Sequence, residues 1–230
     1  MNQLIRKTML AVGIAGALLA GSANANIIFS TGNPDNADTT NILVNRPCDA
    51  ITTTGTTVSG CLSSDPTVKV SFTSNESLRL NGGQARVEAL DDDGTYSQLD
   101  IRMQSAALGF TKLIFNVNNS NEDSGFIDII VSLFGGGSGR LLHSAVSGGG
   151  NHFYVIEATG GDLIESVFFI SNTGDSSQRV EFDDTRQIRL DGVTTYRHGN
   201  GIPPAAVPEP GSMALLALGL LGFGALRRKA

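Results

Sequence analysis

Nothing between residues 26 and 206 holds a helical period. Short runs rich in β-branched and aromatic residues, some alternating apolar with polar, are cut repeatedly by glycine and asparagine. The breakers are Asn81-Gly82-Gly83, Asp93-Gly94, Gly135-Gly136-Gly137, Gly148-Gly149-Gly150, Gly160-Gly161 and Thr173-Gly174. Glycine reaches backbone angles closed to other residues and weakens a strand interior, so such clusters end strands and turn the chain. The runs between them predict strands over residues 27–30, 41–44, 68–72, 77–80, 85–89, 98–103, 112–117, 126–134, 141–145, 153–158, 164–171, 179–182 and 187–190. So many short strands in one stretch predict an all-β fold, a β-sandwich or jelly roll. It is flanked by an N-terminal signal helix and a short C-terminal hydrophobic helix.

Alternation predicts which side chains form the core. Leu113, Phe115 and Val117 share one face of their strand. Phe153 with Val155, and Phe168 with Ile170, are expected to do the same on later strands. Residues 126–134 are apolar on both faces apart from Asp128 and Ser132, which predicts a central strand.

The two ends are unlike the middle. Arg6 and Lys7 precede an apolar run over 9–20, and Ala23-Asn24-Ala25 supplies a small-x-small cleavage site. That order predicts a signal peptide over 1–25, cut after Ala25. At the other end Val207-Pro208-Glu209-Pro210-Gly211 leads into an apolar run over 213–226, followed by Arg227, Arg228 and Lys229. The run falls short of the ~20 residues of a comfortable membrane span. The basic trio would stay on the cytoplasmic side and act as a stop. Residues 192–206, with Gly199-Asn200-Gly201 and Pro203-Pro204, lack periodicity and are expected to be a linker. The expected division is thus signal peptide 1–25, ectodomain 26–191, linker 192–206 and sorting signal 207–230.

The tail, with Pro208, Glu209 and Pro210, then 213–226, then Arg227, Arg228 and Lys229, resembles the PEP-CTERM family of exported bacterial proteins. The resemblance implies an exosortase, a membrane-embedded cysteine transpeptidase, as a partner. That enzyme would cut near Pro208–Pro210 and release or transfer the ectodomain from the inner membrane. It also implies a Gram-negative bacterium that makes extracellular polysaccharide, with the protein ending at the cell surface or outside the cell. The prolines fix the backbone and remove donors, which keeps the motif extended.

Charge limits the partners of the middle. The whole chain has 16 Lys+Arg and 22 Asp+Glu; setting aside two basic residues in the first 25, and three basic and one acidic in the last 24, leaves residues 26–206 at −10. That balance argues against nucleic acid and anionic lipid and is compatible with divalent cations and neutral glycans. The two cysteines, Cys48 and Cys61, are an even count in an exported chain and predict a disulfide. The polar residues between them are expected to form a flexible loop. Closing it would contribute about 3 kcal/mol in the chain-entropy model.

Nucleophile and metal-hydrolase signatures are missing: there is no Gly-x-Ser-x-Gly, and His143, His152 and His198 do not form His-Glu-x-x-His. A non-enzymatic protein is expected. Two acidic clusters remain, Asp91-Asp92-Asp93-Gly94 and Asp183-Asp184. Neither keeps an EF-hand register, but adjacent carboxylates repel and a hard cation relieves that, so both are candidate calcium ligands. The oxygen-rich run 118–123 is a third. The run 180–190 is loosely similar to the closing strand of jelly-roll carbohydrate-binding modules, in which an aspartate pair often precedes the final strand. Such binding usually needs an aromatic platform. The chain has no Trp, and Tyr96, beside the Asp91–Gly94 turn, is the candidate. The expected function is an exosortase-sorted surface or matrix protein associated with exopolysaccharide and biofilm. The alternative is a calcium-dependent carbohydrate-binding jelly roll.

Overall fold

The computed structural model describes residues 27–197 apart from residues 33, 35–37, 45–47, 92–93, 120–123, 148–149 and 173–180. The signal segment, His198 and the rest of the linker, the Pro-Glu-Pro motif, the 213–226 run and its basic end lie outside the described residues. Among the described residues there are fourteen strands and no helix. They are β1 (Ile27–Thr31), β2 (Thr40–Leu43), β3 (Thr54–Leu62), β4 (Lys69–Asn81), β5 (Arg86–Ala89), β6 (Gln98–Met103), β7 (Leu108–Gly109), β8 (Lys112–Asn118), β9 (Gly125–Leu133), β10 (Ser138–Val146), β11 (Asn151–Ala158), β12 (Ile164–Asn172), β13 (Asp184–Asp191) and β14 (Thr194–Thr195).

All but β7 and β14 form one antiparallel sheet in the order β1-β11-β8-β13-β2-β3-β4-β6-β12-β9-β10, with β5 bridging β13 and β4. The sheet folds over because two strands share their edges. β13 runs along β8, but its other edge pairs Asp184 and Thr185 with β5 and Arg189 and Leu190 with β2. Between these, the register breaks and Gln187 takes φ +53°; such a bulge increases local twist. β4 does likewise, giving residues 70–73 to β6 and 78–81 to β5. β13, β2, β3, β4 and β5 therefore close a ring, and the rest of the sheet stacks as the two layers of a β-sandwich. At the opposite side the sheet's ends meet. A Cβ on Gly139 of β10 would lie 2.5 Å from Ile27 Cδ1 of β1, so a larger residue there would have to displace the Ile27 side chain.

Aromatic rings tie the layers together. Phe115 of β8 stacks on Phe169 of β12 at 5.1 Å and on Tyr154 of β11 at 5.4 Å, and Phe182 meets Phe169 edge-on at 5.6 Å. Each such ring, fully buried, contributes on the order of 1.5–3 kcal/mol. Leu113, Phe115 and Val117 are buried as their alternation predicts. For β11 and β12 the expected faces are reversed. Tyr154, Ile156, Val167 and Phe169 point inward, and Phe153, Val155, Phe168 and Ile170 are half-buried on the outside. A period of two separates the faces, but where both are apolar it does not say which is inner.

Three further expectations are corrected. The loop between the cysteines is largely β3, whose Thr-rich outer end and buried Val58–Leu62 end pair with β4. The strands expected over 68–72 and 77–80 are one thirteen-residue strand, Lys69–Asn81. The linker's first residues belong to the domain: Thr194 and Thr195 pair with β7, and Tyr196 stacks on Phe134 at 4.4 Å. The Cys48–Cys61 disulfide is present, with Cα atoms 5.6 Å apart. It holds residues 48–53 against β3, where Ser59 N donates to Thr52 O at 2.7 Å and Thr52 N donates to Ser59 Oγ at 3.0 Å. No helix among the described residues is long and apolar enough to cross a membrane.

Candidate functional site

The acidic pair Asp183-Asp184 sits where β13 enters the ring, next to β5 and β8. Asp184 is fully buried; its Oδ2 accepts hydrogen bonds, while its Oδ1 has an ion-pair neighbour but no hydrogen bond. Arg86 Nη2 donates to Oδ2 at 2.7 Å, Asn118 Nδ2 reaches the same oxygen at 3.3 Å, and Arg186 Nε lies 3.2 Å from Oδ1. Arg86 also pairs with Glu88 at 3.0 Å, and Glu88 with Arg79 at 2.9 Å. A buried carboxylate needs partners of this kind, and here two guanidinium groups and an amide surround it. Asp183 is half-buried, with its backbone N donating to Asn118 O at 3.0 Å. Asp91 is an exposed turn residue whose carbonyl accepts from Gly94 N at 3.0 Å. Asp92, Asp93 and residues 120–123 lie outside the described residues. Among the described residues no three His, Cys, Asp or Glu side chains gather as a metal site.

Tyr96 as a sugar platform is a further correction. Its side chain is fully buried, its hydroxyl hydrogen-bonds Thr185 Oγ1, and its ring packs 5.9 Å from Phe182. Burial pushes its pKa far above the ordinary tyrosine value, because a phenolate there would lie away from water. Tyr96 follows Asp91–Gly94 in sequence, but its bridge to Phe182 turns the ring inward. His143 occupies a bulge of β10 at φ +55°, its N donating to Asp128 Oδ1 at 2.7 Å. His152 donates through Nε2 to Ser147 O at 3.0 Å.

The side chains that do gather at the surface lie elsewhere. Strand β6 reads Gln98-Leu-Asp-Ile-Arg-Met103 in strict alternation. Leu99, Ile101 and Met103 are buried in the core, so Gln98, Asp100 and Arg102 share the outer face. Cross-strand register sets Thr73 of β4 beside Asp100 on one side and Phe168 of β12 on the other, with Thr57 of β3 beyond Thr73. With Ser71, Ser74 and Asn75 these line an open groove of about 630 Å³. Arg102 holds Asp100 through two bonds, Nε to Oδ1 at 2.5 Å and Nη2 to Oδ2 at 2.9 Å. Thr57 and Thr73 hydroxyls meet at 3.1 Å. Phe168, half-buried, gives the groove an apolar ring surface. Hydroxyls, an amide, a bidentate ion pair and a ring suit a ligand rich in hydroxyl groups. The alternation of residues 98–103 was the signal for this face. It carries no motif, and the apolar Phe168 was expected inside.

The fold and groove define an all-β sandwich with a polar surface groove, and the comparisons add how the chain is handled. The family described as the PEP-CTERM protein-sorting motif matches residues 206–229. The chain therefore carries the sorting tail of an exported exosortase substrate, anchored transiently by its C-terminus before processing. No curated protein matches the sequence. Among solved structures, the chain is similar to a family 11 carbohydrate-binding module from Clostridium thermocellum in complex with a β-1,3-1,4-mixed-linked tetrasaccharide. Identity there is 13%, coverage 70% of this chain and 99% of that chain, and the TM-score 0.32. It is also similar to a variant of a family 29 carbohydrate-binding module, with 10% identity, coverage of 73% and 89%, and a TM-score of 0.30.

Proposed function

We propose that the chain is a non-enzymatic, polysaccharide-binding protein, displayed at the cell surface or in the extracellular matrix and associated with biofilm. Residues 1–25 act as the signal peptide and 207–230 as the sorting signal. The sandwich between them meets the polysaccharide through the outer face of β3, β4, β6 and β12, and residues 198–206 serve as spacer. The observation that carries this reading is the groove, where Gln98, Asp100, Arg102 and Thr73 offer donors and acceptors beside the ring of Phe168. Polar groups placed around a ring surface provide orientation and specificity in shallow sites.

The test is retention of the chain on the host's own extracellular polysaccharide, in Ca²⁺ and in EDTA. Retention in both buffers, weakened by Phe168→Ala, is the expected outcome. Loss in EDTA would move the reading to a calcium-dependent module, and no retention in either would sink polysaccharide binding. Deleting residues 208–210 tests the sorting part separately. The deleted chain should remain in the membrane fraction, and normal release would overturn exosortase processing.

A further inference from the structure

The groove contains charge but leaves little of it free. Asp100 and Arg102 are the ionised side chains among its lining residues, and they commit both carboxylate oxygens and two guanidinium nitrogens to each other. The rest of the lining is hydroxyl, amide and one aromatic ring. Asp100 and Glu165 add negative potential at Arg102, and residues 26–206 as a whole stand at −10. We infer that the ligand of this groove is an uncharged glycan chain laid along β6, over Gln98, Asp100 and Arg102 with a sugar face against Phe168. This rests on the polysaccharide reading above and narrows it.

Neutral and acidic chains would meet the Asp100–Arg102 pair differently. A sugar hydroxyl both donates and accepts, so neighbouring hydroxyls use the spare lone pairs of Asp100 and the spare N–H groups of Arg102 without breaking the pair. A uronate or sulfate would instead compete with Asp100 for Arg102. Taking the guanidinium would strand a carboxylate whose side chain is 15% exposed and bring an anion to an acidic surface. Length follows from the strand. Successive outer residues of β6 are ~6.7 Å apart, so the three polar side chains make a track of ~13 Å.

The test is affinity electrophoresis of the full chain in detergent, through gels containing mixed-linkage β-glucan, galactomannan or dextran as neutral probes, and alginate as the polyuronate. Retardation by a neutral probe, equal at low and high salt, is expected. Asp100→Ala and Phe168→Ala should each weaken it about tenfold, the effect of losing one charge-assisted bond or one stacked ring. Thr73→Tyr, which fills the groove from an exposed position, guards against misfolding of the other two and should abolish retardation. Alginate retardation that disappears in Arg102→Gln would overturn the neutral-chain inference while keeping polysaccharide binding. Neutral binding indifferent to all three groove substitutions would overturn the groove. Passage through every gel unretarded would remove the polysaccharide reading and this inference together.

Discussion

Two Asp–Arg pairs on the same sandwich show how burial separates a structural charge from an available one. Asp184 is 0% exposed, and its arginines, Arg86 and Arg186, reach it from the surface. Asp100 lies on the outer face with Arg102 stretched over it, 53% exposed. The chemistry is the same and the geometry comparably tight. Around Asp184, Arg86 and Asn118 bond Oδ2 and Arg186 lies beside Oδ1, all at a side chain closed to solvent. Around Asp100, 15% exposed, the lone pairs and N–H groups that the pair leaves over face the groove, where a ligand can reach them. The conspicuous Asp184 therefore belongs to the framework, and the inconspicuous alternation of β6 builds the open face.

The largest way to break this contrast is to remove Arg86. Arg86→Met leaves Asp184 buried with one guanidinium and one amide, and should cost about 3–5 kcal/mol, as losing one partner of a buried pair does. Adding Asp184→Leu should recover much of that, since an apolar side chain needs no donors. Asp100→Ala, on the surface, should cost under about 1 kcal/mol and act on ligand retention alone. Urea denaturation of the variants checks this. Equal midpoints for Arg86→Met and Asp100→Ala would refute the division between framework and groove.

Next in size is the disulfide. Cys48→Ser with Cys61→Ser should cost about 3 kcal/mol by freeing the unfolded chain, and residues 48–53 should then lose amide protection against β3. The pairing was legible from the count and the expected compartment. The strand inside it was not, because threonine and glycine between residues 52 and 60 look like loop, although β-branched threonine suits a pleated surface. The fold class and the middle of most strands were legible because glycine clusters punctuate them. Faces were legible only where polar residues mark the outside, as on β6; Phe153 and Phe168 were misplaced because both faces of their strands are apolar. The groove was hidden for a related reason: Thr57, Thr73, Asp100 and Phe168 come from four strands, and only the register brings them together.

Tyr96 gives a smaller effect with a pH signature. Tyr96→Phe removes its hydrogen bond to Thr185 and should cost about 1–2 kcal/mol at neutral pH, with retention on polysaccharide unchanged. Burial raises the Tyr96 pKa in the fold. Its contribution is therefore complete below about pH 10, where unfolded tyrosine titrates. Above that it is lost as pH rises, because the unfolded chain releases a proton that the fold keeps. Tyr154 is shifted in the same direction by burial. Tyr96→Phe should therefore shallow the alkaline fall in stability without removing it, and an unchanged slope in urea midpoints between pH 9 and 11 would contradict the burial of its hydroxyl.

The smallest effect is the sharpest comparison. Arg79 is 49% exposed and pairs with Glu88, which keeps Arg86 as a second partner. Arg102 is exposed to about the same degree and pairs with Asp100. Each is the outer member of a surface-reaching ion pair, so Arg79→Ala and Arg102→Ala should each cost roughly 0.2–1 kcal/mol, less at high salt. Matched stability losses remove folding as an explanation for any difference in binding. Retention on polysaccharide should then fall for Arg102→Ala and stay at the parent level for Arg79→Ala. If both variants bind alike, the assignment of the site to β6 fails even with the fold intact.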